Sequence, residues 1–298
     1  MQSSVQQPRH KRAFTLIEIM VATVIMVIMV GLVIQITSEV LKVWNRSTGK
    51  LSANAEARMA LDLLTSDLET AVFRNNGLQW LRAEKGTEAS LGTYTVALRL
   101  FAPAMDRDPN APGDICAIAY QLENRDPVDG ATAPGTPDDR LWILYRLLVG
   151  PEETFNDLMG EGVQNSLPDK AATAWSAASI VGASGENYLA RNVVEFDIDF
   201  YVEDDGDPST SSSDNFVDPK KVAGVIYGGS DATVGSGAGG VYDRPLAYAD
   251  IKLTIVSDEG AALLQNISSG YINEDAEDVI RQHGEVFIRR VHFTARAL

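Results

Sequence analysis

The chain has 298 residues, 45% of them hydrophobic and 22% charged, enough apolar material to pack one large domain or two small ones and too much for wholesale disorder. Its formal net charge is −16, and since Arg9, Lys11 and Arg12 are the only charged residues among the first thirteen, the remainder carries −19. A body of that charge is repelled by nucleic acid and by anionic lipid headgroups, which argues against direct nucleic-acid contact.

The run KRAFTLIEIMVATVIMVIMVGLVIQ covers Lys11 to Gln35, and from Phe14 to Ile34 its only charge is Glu18. As a helix this stretch spans ~30 Å, the thickness of a hydrocarbon core. Basic residues lie just before it, which predicts a cytoplasmic N-terminus and an extracytoplasmic body. The apolar run is long and no A-x-A-like site follows it, which separates it from a cleaved secretory signal. Glu18 needs a reason of its own, because a charge in hydrocarbon costs at least ~2.5–3.5 kcal/mol. A cation supplied at the same depth by a neighbouring helix offsets that cost, so Glu18 predicts a partner chain.

KRAFTLIE, continuing as FTLIEIM, resembles the processing site of type IV prepilins and of type II secretion pseudopilins. The resemblance implies cleavage by prepilin peptidase between Ala13 and Phe14, methylation of the new amine on Phe14, and an assembly role for Glu18. That glutamate becomes the fifth mature residue and pairs with the terminal amine of an adjacent subunit. Ala13 stands where the family usually has Gly. The organisation so implied is a cytoplasmic leader over 1–13, a transmembrane helix over 14–36, an amphipathic helical continuation over 37–76 and an extracytoplasmic β-rich domain over 77–298. The implied partners are other pilin or pseudopilin subunits, prepilin peptidase and an inner-membrane assembly platform. The implied location is the inner membrane, crossed once, with the C-terminal domain periplasmic or extracytoplasmic.

Beyond the apolar run, Leu61, Leu64, Leu68 and Val72 recur at three- and four-residue steps, with Asp62, Asp67, Glu69 and Arg74 elsewhere on the cylinder. Asn75-Asn76-Gly77 reads as the stop, so the helix is expected to run from Phe14 to Arg74, with Gly49 a weak point. The period then changes to two. YTVALRLF sets Tyr94, Val96, Leu98 and Leu100 on one face; ICAIAYQLE follows, and RLWILYRLLV, apolar on both faces, reads as an interior strand. In VVEFDIDFYVED, Val194, Phe196, Ile198, Phe200 and Val202 are expected to face in and Glu195, Asp197 and Asp199 out. ADIKLTIVSD and GEVFIRRVHFTARAL complete the set, and a short helix at Glu274–His283 is expected, capped by Asn273 and ended by Gly284. The fold class is therefore α+β: a long N-terminal helix packed on an antiparallel sheet. This order is similar to that of the minor pseudopilins of the J type, and in length and layout to the Verru_Chthon cassette protein C family.

Reaction machinery is sparse. The three histidines, His10, His283 and His292, lack zinc-ligand spacing, and no G-x-S-x-G elbow is present. GSGAGG at 235–240 has neither the strand before it nor the helix after it that a dinucleotide site needs. Cys116, in ICAIAY, reads as a buried small hydrophobe. The acidic loop from Glu203 to Asp218 offers Asp204, Asp205, Asp207 and Asp214 as oxygen ligands for calcium, but without EF-hand spacing, and a solvated loop explains the same residues. No other cofactor is expected. The reading is a structural subunit of a pilus-like or secretion-like filament and not an enzyme. The alternatives are an adhesin or DNA-uptake pilin, and a membrane-tethered extracytoplasmic enzyme.

Overall fold

The computed structural model describes residues 15–73, 80–88, 91–126, 140–159, 180–182, 185–202, 220–221, 226–228, 233–234, 242–243 and 246–294. Two compact units divide the chain, Met1–Thr48 and Gly49–Leu298. Helix α1, Leu16–Glu69, contributes to both.

In the first unit, every large apolar side chain from Leu16 to Trp44 is exposed. Two polar side chains in this stretch return to their own helix: the Thr23 hydroxyl donates to the Met20 carbonyl at 2.8 Å and that of Thr37 to Val33 at 2.7 Å. Neither leaves a hydroxyl donor unpaired in an apolar medium.

In the second unit, α1 buries the stripe Ala57, Ala60, Leu61, Leu64 and Leu68. The two alanines bring the helix backbone close to the sheet, and each buried leucine contributes ~1.5–3 kcal/mol. The helix ends at Glu69, short of the expected Arg74, because the backbone finds a different partner. The Val72 N–H donates to the Phe101 carbonyl at 2.8 Å, at the end of a strand. Val72 thus leaves the stripe and packs, half-buried, in a separate cluster. Arg74 and the expected stop at Asn75-Asn76-Gly77 lie outside the described residues.

The main sheet is built from β1 (Leu81–Glu88), β2 (Thr93–Ala102), β3 (Cys116–Arg125), β4 (Leu141–Val149), β5 (Tyr188–Arg191), β6 (Val193–Val202), β11 (Leu246–Val256) and β12 (Gly284–His292), with short pieces β7 (Lys220–Lys221) and β8 (Ile226–Gly228) at its margins. β9 (Thr233–Val234) and β10 (Tyr242–Asp243) pair separately. The spatial order is β12-β11-β6-β2-β3-β4-β5. Pairing is antiparallel except at β2–β6, which meet in parallel at Thr95↔Phe196. β2 is the junction: β1 lies along one edge of it, while the other edge meets β6 at Thr95 and β3 from Leu98 to Ala102.

The alternation expected in β2 and β6 is present where the strands lie under α1. Val96, Leu98 and Leu100 of β2 and Phe196, Ile198, Phe200 and Val202 of β6 join the helix stripe in one core. Tyr94 departs from its expected face and is 54% exposed. Val194 also departs, packing with Leu91, Trp142 and Val256 in a separate cluster beside a register shift between β6 and β11. β4 is buried on both faces between β3 and β5. Its second face packs Ile143 and Tyr145 with Trp80, Phe101 and a short helical turn at Pro151–Glu153 and Thr154–Leu158. Thr154 pins that turn, accepting from the Ala117 N–H at 2.9 Å and donating to the Val149 carbonyl at 3.0 Å.

Two helices lie between β11 and β12. α2, Asp258–Ser268, has no counterpart in the sequence reading; Ser257 caps it by accepting from the Gly260 N–H at 3.3 Å. α3 is Ala276–His283, two residues shorter at its start than expected, and its cap is Asp275, not Asn273. Gly284 ends α3 as expected, in extended rather than left-handed backbone, and opens β12 directly. A Cβ there would lie 2.4 Å from the Ile280 carbonyl, so the tight passage from helix to strand requires glycine.

Asp67 is the main departure on α1. Expected on the outer surface, it is 2% exposed and faces the sheet. Its Oδ2 accepts from the Tyr120 hydroxyl of β3 at 2.5 Å and from Arg146 Nε of β4 at 2.9 Å. Arg146 in turn donates Nη1 and Nη2 to Asp106 at 2.7 and 3.1 Å. Burial pushes the Asp67 carboxyl up from its ordinary range, against the pull of Arg146 and Tyr120, and burial holds the Tyr120 phenol well above its own, so it remains a donor.

Asp67→Ala is expected to cost the detergent-solubilised chain about 3–5 kcal/mol, because Arg146 is then left buried with half-exposed Asp106 as its remaining carboxylate partner. Replacing the whole network, Asp67→Leu with Arg146→Met and Tyr120→Phe, is expected to recover most of the loss, since no buried polar group is then left unpaired. Chemical denaturation followed through the buried Trp80 and Trp142 measures both.

Candidate functional site at the N-terminus

The site is built from the sequence Thr15-Leu16-Ile17-Glu18. Leu16 is the first helical residue, which makes Thr15 the N-cap and Glu18 the third helical position. The Thr15 hydroxyl accepts from the Glu18 N–H at 3.3 Å, and Glu18 Oε2 accepts from the Thr15 N–H at 3.3 Å and from the Thr15 hydroxyl at 3.4 Å. This is the reciprocal capping box, S/T-x-x-E, which satisfies two donors that a helix start otherwise leaves bare. The carboxylate also lies at the positive end of the helix dipole.

Glu18 therefore has an intrachain role that the lipid-depth argument alone does not reveal. The T-x-x-E spacing in the sequence is the signal that finds it. The cap does not exhaust the group. Glu18 is exposed, and an ionised carboxylate has about four acceptor positions, so an external ammonium has room to bind. Ala13 and Phe14, the two expected processing residues, lie outside the described residues.

The same is true of Asp204, Asp205, Asp207 and Asp214, the calcium candidates, and of GSGAGG at 235–240. Among the described residues no group of three or more His, Cys, Asp or Glu is placed to hold a metal ion. Cys116 is buried in β3, and burial pushes its thiol up. Glu195, expected to face out, is 7% exposed. Lys252 Nζ donates to its Oε1 and the Thr254 hydroxyl to its Oε2, each at 2.8 Å, so partners on β11 explain its burial.

Residues 8–34 match the family model of the prokaryotic N-terminal methylation motif. The match supports a type IV pilin-like methylation signal at this end of the chain. The apolar helix that carries it is long enough to cross a membrane and is suited to anchoring through the N-terminus. Neither the curated proteins nor the solved structures compared with the chain give a match.

Thr15→Ala is expected to remove about 0.5–2 kcal/mol of cap stabilisation from the first turn of α1. In micelles, amide hydrogen exchange followed by NMR should quicken at Glu18 in Thr15→Ala and stay near the wild-type rate in Thr15→Ser.

Proposed function

We propose that the chain is a structural subunit, a minor pilin or pseudopilin, of a type IV pilus-like or type II secretion-like filament, and that it has no catalytic role. The observation that carries this reading is the apolar surface that begins at the methylation motif. From Leu16 to Trp44 no large apolar side chain is covered by the protein's own fold. Exposure on that scale calls for lipid, and then for other helices, as solvent. In this reading the leader is cut between Ala13 and Phe14, and Phe14 is methylated. Glu18 then meets the Phe14 amine of an adjacent subunit, which sets the register of packed helices. The chain crosses the inner membrane once, with residues 77–298 on the extracytoplasmic side. Its partners are other pilin-type subunits, the peptidase and an assembly platform. The order of the long helix and the strands supports a reading akin to the J-type pseudopilins and the Verru_Chthon cassette protein C family.

Within the second unit, α1 offers neighbours a further apolar surface. Leu51, Ala55, Met59 and Leu63 form an i, i+4 ridge beside Met105, which is 85% exposed, around a groove of about 880 Å³. This ridge lies on the side of the helix away from Leu61, Leu64 and Leu68, set among Asn54, Arg58, Asp62 and Ser66, so the outer face of this part of α1 is polar with an apolar ridge through it.

Mass spectrometry of the membrane-bound protein, with the cognate peptidase present, is expected to find N-methylated Phe14 at the N-terminus; an intact Met1 would refute the processing step. Glu18→Ala is expected to insert normally and to fail to enter filaments, read by shearing and immunoblotting. Wild-type incorporation would leave Glu18 with its capping role alone.

A further inference from the structure

β12 is the last strand of the sheet. Among the described residues it pairs only with β11, in unbroken register from Gly284↔Val256 to His292↔Tyr248. Among the described residues its other edge therefore presents a row of unpaired backbone donors and acceptors. Proteins ordinarily blunt such an edge with proline, a bulge, short length or outward lysines. β12 has nine residues, no proline and no bulge. Its side chains at Val286 and Ile288 are apolar and stand 53% and 70% exposed.

The two arginines that would repel a cationic segment are already engaged. Arg290 binds both oxygens of Asp250, at 2.7 and 2.8 Å, and lies 4.0 Å from the centre of the Tyr248 ring. Arg289 pairs with Asp62 of α1. The charge left at the edge is acidic. Glu285 is exposed on the strand itself. At the strand's start a cleft of about 800 Å³ opens, with Leu91, Ile280 and Val286 on its walls and the exposed acids Glu274 and Glu277 at its rim. The floor carboxylate, Glu195, is neutralised by Lys252, and Arg281, which also lines the cleft, pairs with Asp278, so Glu274, Asp275 and Glu277 set the sign.

We propose that the outer edge of β12 and this cleft dock an extended segment of another protein, one with alternating cationic and apolar side chains, added to the sheet as a further strand. Backbone hydrogen bonds supply much of the affinity, and side-chain alternation supplies the choice. Apolar side chains of the segment lie beside Val286 and Ile288. Its cationic side chains project on the opposite face, where Glu285 stands, and a cation where the segment passes the start of β12 meets Glu274 and Glu277 at the cleft. A second copy of this chain is the poorer occupant, since two bodies of −19 oppose each other. The site stands independently of the filament reading, because none of its residues belongs to the apolar N-terminal segment.

The test uses the detergent-solubilised full chain and a fluorescent peptide, KVKVKVK, read by anisotropy, with KKKVVVK and EVEVEVE as controls. KVKVKVK is expected to bind saturably, one per chain, and more tightly than either control. Val286→Lys with Ile288→Lys is expected to weaken it by about tenfold or more, and Glu274→Lys with Glu277→Lys by about fivefold, since contacts at the centre of an interface outweigh those at its rim. Amide hydrogen exchange on the unaltered chain should slow along Glu285–Arg290 when the peptide is bound. Equal binding of the scrambled peptide, wild-type affinity in the Val286/Ile288 variant, or no protection of β12 would each overturn the proposal.

Discussion

The carboxylate of Asp67 fixes how α1 lies on the sheet. It sits on a helix face otherwise made of Ala57, Ala60, Leu61, Leu64 and Leu68, and a charge in that setting is tolerated only where its partners are. Tyr120 and Arg146 supply them from adjacent strands, paired with each other at Tyr120↔Arg146. The leucines alone would allow the helix to slide or roll by a turn at modest cost, since apolar contacts are not directional. A hydrogen-bonded acid has one acceptable position. Glu56 adds a second fixed point further up the helix, accepting from the Arg191 N–H and the Tyr188 hydroxyl at 3.2 Å. Asp62 adds a third through Arg289. Three acids on one helix thus meet arginines on three strands, β4, β5 and β12, and the deeply buried one dominates because solvent screens the others.

The two units answer different solvents. From Gly49 on, α1 is a conventional two-sided helix with one face in a core. Before it, no face is distinguished: from Leu16 to Trp44 no large apolar side chain is covered, and the charged residues in that stretch are Glu18, Glu39 and Lys42. Polar groups there behave accordingly. Thr23 and Thr37 bond to their own backbone, and Glu18 and Thr15 bond to each other. A single physical rule, that a polar group in an apolar medium must be satisfied locally, accounts for these pairings.

Much of this was legible in the residues. Clean alternation located β2, β6 and β11, a two-sided apolar run identified β4 as interior, and the long apolar run with its leucine stripe gave α1. The failures share a cause. β1, LRAEKGTE, has no apolar alternation; it is a strand because all eight of its residues pair with β2. Asp67 and Glu195 look like solvent-facing positions in any local pattern. They are buried because Arg146, Lys252 and Thr254 come to them across 79, 57 and 59 residues of chain. Partners that distant leave no local trace. α2 is different: Ser257, followed by Asp258 and Glu259, is a start signal that a reader of the strand before it passes over. At the N-terminal site, the basic leader and FTLIE run were legible as a processing signal, and the cap was legible as T-x-x-E.

The Thr15–Glu18 box is complete within four residues and asks nothing of the peptide bond ahead of Phe14. Severing the chain there would leave the first turn of α1 with the same ligands. A product trimmed there would then share one helix start with its precursor, and the cut would change the charge at the chain end without having to rewind the helix.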